Sequence, residues 1–152
     1  WQRYVQCLVF FDGMPYTEQA SVSLPAQVNL DGYALPIKRL KGADPVDSLD
    51  VAGKRLGVAS AIVISTLIGV NATLTSIDLS SNYLGVESAQ HIVEGISASA
   101  LLTECTMFGN ELDVQSAKLM AKVGTNKRIM LFGIKHDQTE ANFKDESIGY
   151  DD

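Results

Sequence analysis

Leu74-Thr75-Ser76-Ile77-Asp78-Leu79-Ser80-Ser81-Asn82-Tyr83-Leu84 reads as L-x-x-I-x-L-x-x-N-x-L. Ile77 and Leu79 are two residues apart, the spacing of a strand that turns alternate side chains to one side. Ser80, Ser81 and Asn82 supply turn chemistry directly after it. An inward amide at Asn82 is suited to bond backbone groups that such a turn leaves unpaired.

The pattern has copies on both sides. Val46-x-x-Leu49-x-Val51-x-x-Lys54-x-Leu56 precedes it, and Leu102-x-x-Cys105-x-Met107-x-x-Asn110-x-Leu112 follows it. Leu74 stands as far from Val46 as Leu102 stands from Leu74, which is a constant 28-residue period. Each window is followed by a helical pattern in the same phase: Ala61, Ala89 and Ala117 are equivalent, and so are Ile64, Ile92 and Met120. The small alanines are expected to let each helix approach its strand closely. A constant period with a strand and a helix in each unit predicts an α/β solenoid. Its expected form is a short parallel sheet on the concave side, with helices returning the chain on the convex side. Asn82 and Asn110 are candidate structural turn residues. Lys54 takes that place in the first unit, whose turn must be satisfied differently.

Outside the repeats the chain divides into a cap of residues 1–45, about three repeats and a terminal strand over 46–135, and an acidic tail over 136–152. Tyr4-Val-Gln-Cys-Leu-Val-Phe-Phe11 is β-branched and aromatic and ends at the turn pair Asp12-Gly13, so a strand is expected there. Residues 20–24 are a candidate hairpin partner, and Asp31-Gly32 marks a second turn. Pro15, Pro25 and Pro36 exclude a long helix in this region. Lys38, Arg39 and Lys41 form the one local basic cluster and read as a solvated rim. Arg128-Ile-Met-Leu-Phe-Gly-Ile134 reads as the terminal strand. The stretch from Gly57 to Val70 carries no charge but falls short of the roughly 18 residues that span a bilayer as a helix. That helix is apolar all round, which predicts burial all round, with the cap covering Ile62, Val63 or Leu67.

With the units laid out, the chain resembles the ribonuclease-inhibitor-like class of leucine-rich repeat proteins, whose repeat length matches this period. Three stretches look like the repeat proteins abundant in dinoflagellate algae: Ala34-Leu-Pro-Ile-Lys-Arg-Leu-Lys-Gly42, Leu56-Gly-Val-Ala-Ser-Ala-Ile-Val-Ile64 and Gly133-Ile-Lys-His-Asp-Gln-Thr-Glu-Ala-Asn-Phe143. The resemblance covers about residues 34–143 and carries no catalytic residues with it. Lys54 in place of Asn, and Cys105 and Met107 in place of core leucines, are the departures.

A formal net charge of -6 argues against nucleic acid, which wants a basic stripe, and against a polybasic membrane segment. Two cysteines, Cys7 and Cys105, are too few for a disulfide framework or a four-ligand zinc site. Both are expected to be free and buried, in keeping with a reducing or neutral compartment, an organelle included. His91 and His136 lie far apart, and no metal or cofactor is expected. No nucleophile-elbow, phosphate-loop or dinucleotide motif occurs. The chain begins at Trp1, as a processed chain or a piece of a longer one would.

What lines up by alternation is the outward strand face: Ser48 and Asp50, then Ser76, Asp78 and Ser80, then Glu104, Thr106 and Phe108. This acidic, hydroxylic patch with one aromatic is the candidate partner-binding face, set against the plainer reading of a solvated sheet. The expected function is a non-enzymatic protein-binding module. The alternative is a permanent accessory subunit of a large assembly, organellar or photosynthetic if the dinoflagellate resemblance holds. An enzyme without a recognisable motif is a distant third.

Overall fold

The computed structural model describes residues 25–131. It opens with an antiparallel hairpin, β1 (Val28–Leu30) and β2 (Tyr33–Leu35). Asp31 and Gly32 join the strands with φ of 53° and 80°. Two-residue hairpin loops whose central residues are both left-handed match the strand twist, which is why Asp-Gly is favoured there. The short helix α1 (Ile37–Lys41) follows, with Pro36 at its N-cap. Pro36 therefore starts a helix rather than breaking one, since a helix start needs no proline N–H, and the left-handed Gly42 ends it. Ile37 and Leu40 are buried, while Lys38, Arg39 and Lys41 point to solvent.

From there strands and helices alternate: β3 (Ser48–Asp50), α2 (Val58–Ile68), β4 (Ser76–Asp78), α3 (Val86–Ala98), β5 (Glu104–Thr106), α4 (Val114–Lys127) and β6 (Met130–Leu131). The four strands form one parallel sheet in the order β3-β4-β5-β6. Leu49 pairs with Ile77, and Ile77 with Cys105, so the register repeats the 28-residue period of the sequence. Cys105 then pairs with Leu131, so the last strand arrives two residues early.

The core lies between the inward strand residues and the helices. Leu49, Ile77 and Cys105 meet Ile64, Ile92 and Met120 in one apolar cluster. Helix α2 packs on α3 and α3 on α4, with α1 against α2. Helices α2 and α3 approach closely at Gly95, where an added Cβ would lie 2.5 Å from the Ser65 carbonyl oxygen. Close packing of α2 on α3 thus needs Gly95. Ala61 and Ala89 are fully buried, but Ala117 is exposed, against expectation. Ala61, Ser65 and Gly69 lie on one side of α2, and Ser65 and Gly69 there face Gly95 and Ala98 of α3. Ala117 lies on the corresponding side of α4, and no further helix among the described residues covers it.

The expectation that α2 is buried all round also needs correction. Val63 and Leu67 pack partly against the core, but Ile62 is 42% exposed. Helix α1 is too short to reach across the outer face of α2, so Ala59, Ile62 and Thr66 are left open among the described residues. The strand expected over residues 4–11, its Asp12-Gly13 turn, residues 20–24, Cys7, residues 132–134 of the terminal strand, His136 and the tail of 136–152 lie outside the described residues.

Candidate functional site

The outward strand residues form two rows. Ser48 stands beside Ser76, and Ser76 beside Glu104, while Asp50 stands beside Asp78 and Asp78 beside Thr106. Ser48 and Asp50 are exposed; Ser76, Asp78, Ser80, Glu104, Thr106 and Phe108 are half-buried. The Ser76 hydroxyl donates to Glu104 Oε2 at 3.3 Å. Asp50 Oδ1 accepts the Ala52 N–H at 2.9 Å, and Asp78 Oδ1 accepts the Ser80 N–H at 2.8 Å. Each aspartate thus uses one oxygen to shape its own strand end, a local turn motif typical of Asp. The surface is a ladder of carboxylates and hydroxyls, groups suited to hydrogen-bonding and to cations.

The turns behind this face are closed by asparagine. Asn82 is buried, and its Nδ2 donates to the carbonyls of Val51, Leu79 and Ser80 at 3.0, 2.9 and 3.1 Å. Its Oδ1 accepts the N–H groups of Lys54 and Leu56 at 2.9 and 3.0 Å. Asn110 repeats the arrangement one unit on, donating to Leu79, Met107 and Phe108 and accepting from Leu84. Each side chain therefore bonds its own turn and the turn before it. That settles how the first unit manages with Lys54: its turn is closed from the next unit by Asn82. The Lys54 ammonium lies 5.8 Å from the centre of the Tyr33 ring, over the hairpin.

Three further polar anchors have weaker signatures in the sequence. Asn71 is buried; its Nδ2 donates to the carbonyls of Arg39 and Leu40, and its Oδ1 accepts from the backbone of Thr73 and Leu74. It thereby ties the end of α1 to the start of the next strand window. Asp31, in the hairpin turn, reaches the N-terminus of α2 and accepts the N–H groups of Gly57 and Ser60 at 2.9 and 3.1 Å. Asp113 caps α4 from within, accepting the Ser116 N–H at 2.7 Å. Both carboxyls are held below their ordinary pKa. For Asp31 the largest influence is the neighbouring Ser60 hydroxyl, although its geometry falls short of a formed hydrogen bond; the defined bonds are the two backbone ones. For Asp113 it is the neighbouring Ser116 hydroxyl, again short of a formed hydrogen bond, with the Ser116 backbone N–H adding to it.

Cys105 is fully buried and free. Burial, with Asp78 and Glu104 nearby, pushes its thiol up to about 12, so the nucleophilic thiolate is not formed near neutral pH. His91 Nδ1 lies 3.9 Å from Glu94 Oε2 on the surface of α3. No group of three metal-ligating side chains occurs among the described residues, and no helix there is long and apolar enough to cross a membrane. Neither a protein-family model nor a curated protein matches this sequence.

Proposed function

We propose that the chain is a leucine-rich repeat solenoid that serves as a non-enzymatic protein-binding module. In this reading residues 1–45 form the N-terminal cap, 46–135 the repeats and 136–152 an acidic tail. The partner docks on the outward strand face of Ser48, Asp50, Ser76, Asp78, Ser80, Glu104, Thr106 and Phe108. The observation that carries this is the alignment of Asp50 beside Asp78 in the parallel register. Two like charges side by side on a sheet disfavour folding slightly. A basic partner group placed between them would relieve that cost. The partner class is therefore a protein surface presenting Lys or Arg, met through a rigid concave array.

A second reading, a permanent accessory subunit of a larger assembly, is favoured by a different observation. Val86 and Val114 open equivalent helices one repeat apart and are both exposed, Val114 at 63%, with Tyr83 exposed nearby in sequence. Apolar groups repeated along one edge suit a dry, lasting contact. The two readings separate on native recovery of the tagged full chain from its source cells. A docked partner leaves as salt rises, because exposed charge pairs are screened. A permanent neighbour stays at fixed stoichiometry through high salt. Recovery of the chain alone under gentle, low-salt conditions overturns both.

A further inference from the structure

Among the described residues β3 is an edge strand, paired only with β4. Its backbone bonds identify which of its groups are committed. The Asp47 carbonyl accepts from the Ser76 N–H, the Val51 N–H donates to Asp78 and the Gly53 N–H donates to Ser80. Backbone groups of successive strand residues point to opposite edges. The odd-numbered residues of β3 therefore face β4, and Ser48 and Asp50 turn their N–H and C=O groups the other way. The next amide on that edge, the Ala52 N–H, is taken by Asp50 Oδ1, so the open stretch ends at Asp50. In β4 the equivalent residue Ser76 uses its N–H to hold the strand before it.

A groove of about 610 Å³ borders that edge. Leu49 and Asp50 line one side of it, and Tyr33, Pro36, Lys38 and Arg39 line the other. Among the described residues none from β4 lines it, which places the groove on the open side of β3. Its volume lies within the usual range of ligand pockets. That is room for one short strand, not for the sheet edge that a second copy of the chain would bring.

Resting on the docking role proposed for the strand face, we infer that this groove seats an extended segment of a partner protein. The segment adds to β3 as a further strand and sets a basic side chain beside Asp50. The charges select this occupant, because an added strand prolongs the two outward rows of the sheet. The row of Asp78 and Asp50 ends on a carboxylate, so the residue next in it is Lys or Arg, which offsets two neighbouring like charges. The row of Ser76 and Ser48 ends on a hydroxyl and continues with Ser or Thr. Between them an apolar side chain meets Leu49. Arg39 is already matched by Asp44 at 3.1 Å, and Lys38 beside it disfavours a uniformly basic segment. In recognition of this kind main-chain bonds to the open edge give affinity, and alternate side chains give specificity.

The test uses the full chain and the synthetic peptide acetyl-Thr-Val-Lys-Val-Thr-amide, whose palindromic sequence offers this pattern to β3 in either direction. Amide exchange is followed residue by residue. Without peptide the amides of Ser48 and Asp50 are expected to exchange as open chain does. At millimolar peptide both should slow at least about tenfold, with Ser76 unchanged. The peptide with Glu in place of Lys should bind roughly tenfold more weakly, and Asp50→Asn should narrow that gap. A fully N-methylated copy keeps the side chains, lacks the strand donors and should protect neither amide. Protection of Ser48 and Asp50 without peptide overturns the inference, since the edge then belongs to the chain itself or to a second copy. So does an N-methylated copy that binds as well as the parent peptide; the charge of the face then acts without strand addition, and the docking role survives. Equal protection by the Lys and Glu peptides overturns the basic partner and the docking role together. Open-chain exchange at both amides that no peptide alters overturns the inference alone, because the docking role is judged on the recovered partner.

Discussion

The Asn82 carboxamide takes the backbone N–H of Lys54, in the preceding unit, at 2.9 Å. One unit's side chain thereby completes the turn of the unit before it. The same amide spans a buried donor and carbonyls of both turns, so its loss leaves several buried groups unsatisfied at once. Asn82→Ala is expected to destabilise by about 2–3 kcal/mol, near the upper end for orphaned buried groups. Asn110, half-buried with four such bonds against five, should cost less, about 1 kcal/mol. Chemical denaturation of both variants checks the ranking, and equal midpoints for Asn82→Ala and the parent would contradict it.

Gly95 sets the spacing between α2 and α3. A methyl group there would meet the Ser65 oxygen at 2.5 Å and Cα at 2.6 Å, both backbone atoms that cannot swing aside. Gly95→Ala should therefore lower stability by about 1–3 kcal/mol through overpacking, despite the better helix propensity of Ala. An increase in melting temperature would show that the helices separate freely.

Asp31 and Asp113 each hold a helix N-terminus with a carboxyl pKa below its ordinary 3.8. A depressed folded value means the charged form is the one the fold prefers. The contribution is fully present above about pH 4 and is lost as pH falls through the lowered values. Replacing both with Ala should lower the denaturation midpoint at pH 7 and flatten its fall as pH drops below about 4. An unchanged acid profile in the double variant would assign the acid sensitivity to other groups.

The Cys105 thiol, buried and raised to about 12, should resist alkylation at pH 8 in the folded chain and react fully once denaturant is added. Peptide mapping identifies the site. Rapid labelling of Cys105 without denaturant would mean that the sheet opens locally on the time scale of the reaction.

Much of the architecture was legible because its signals are periodic. Leu49, Ile77 and Cys105 recur at one interval and sit side by side in the parallel sheet, and the turn asparagines are legible for the same reason. Asn71 escapes because its counterpart is Ser99, whose Oγ accepts only the Leu102 N–H, so no common residue type marks the position. Asp31 escapes because its hairpin turn masks a second task, the cap of α2 at Gly57 and Ser60, far along the chain. Helix α2 misled through composition: an uncharged helix predicts full burial, yet Ile62 is 42% exposed. Of the strand face, alternation gave the residues, but not that Asp50 and Asp78 each spend one oxygen on the backbone.

That last detail supplies the sharpest variant for the central claim, that the strand face docks a basic protein partner. Asn in place of Asp50 and Asp78 keeps an oxygen for the Ala52 and Ser80 N–H groups while removing both charges, so the fold is retained and only the field of the face changes. The measurement is the affinity of the recovered partner for the parent chain and for Asp50→Asn, Asp78→Asn, each at low and high salt. The account predicts roughly tenfold weaker binding by the double variant at low salt, about 1.4 kcal/mol, and a shallower salt dependence. Equal affinity and equal salt dependence for the two chains would contradict it and move the docking surface off the strands.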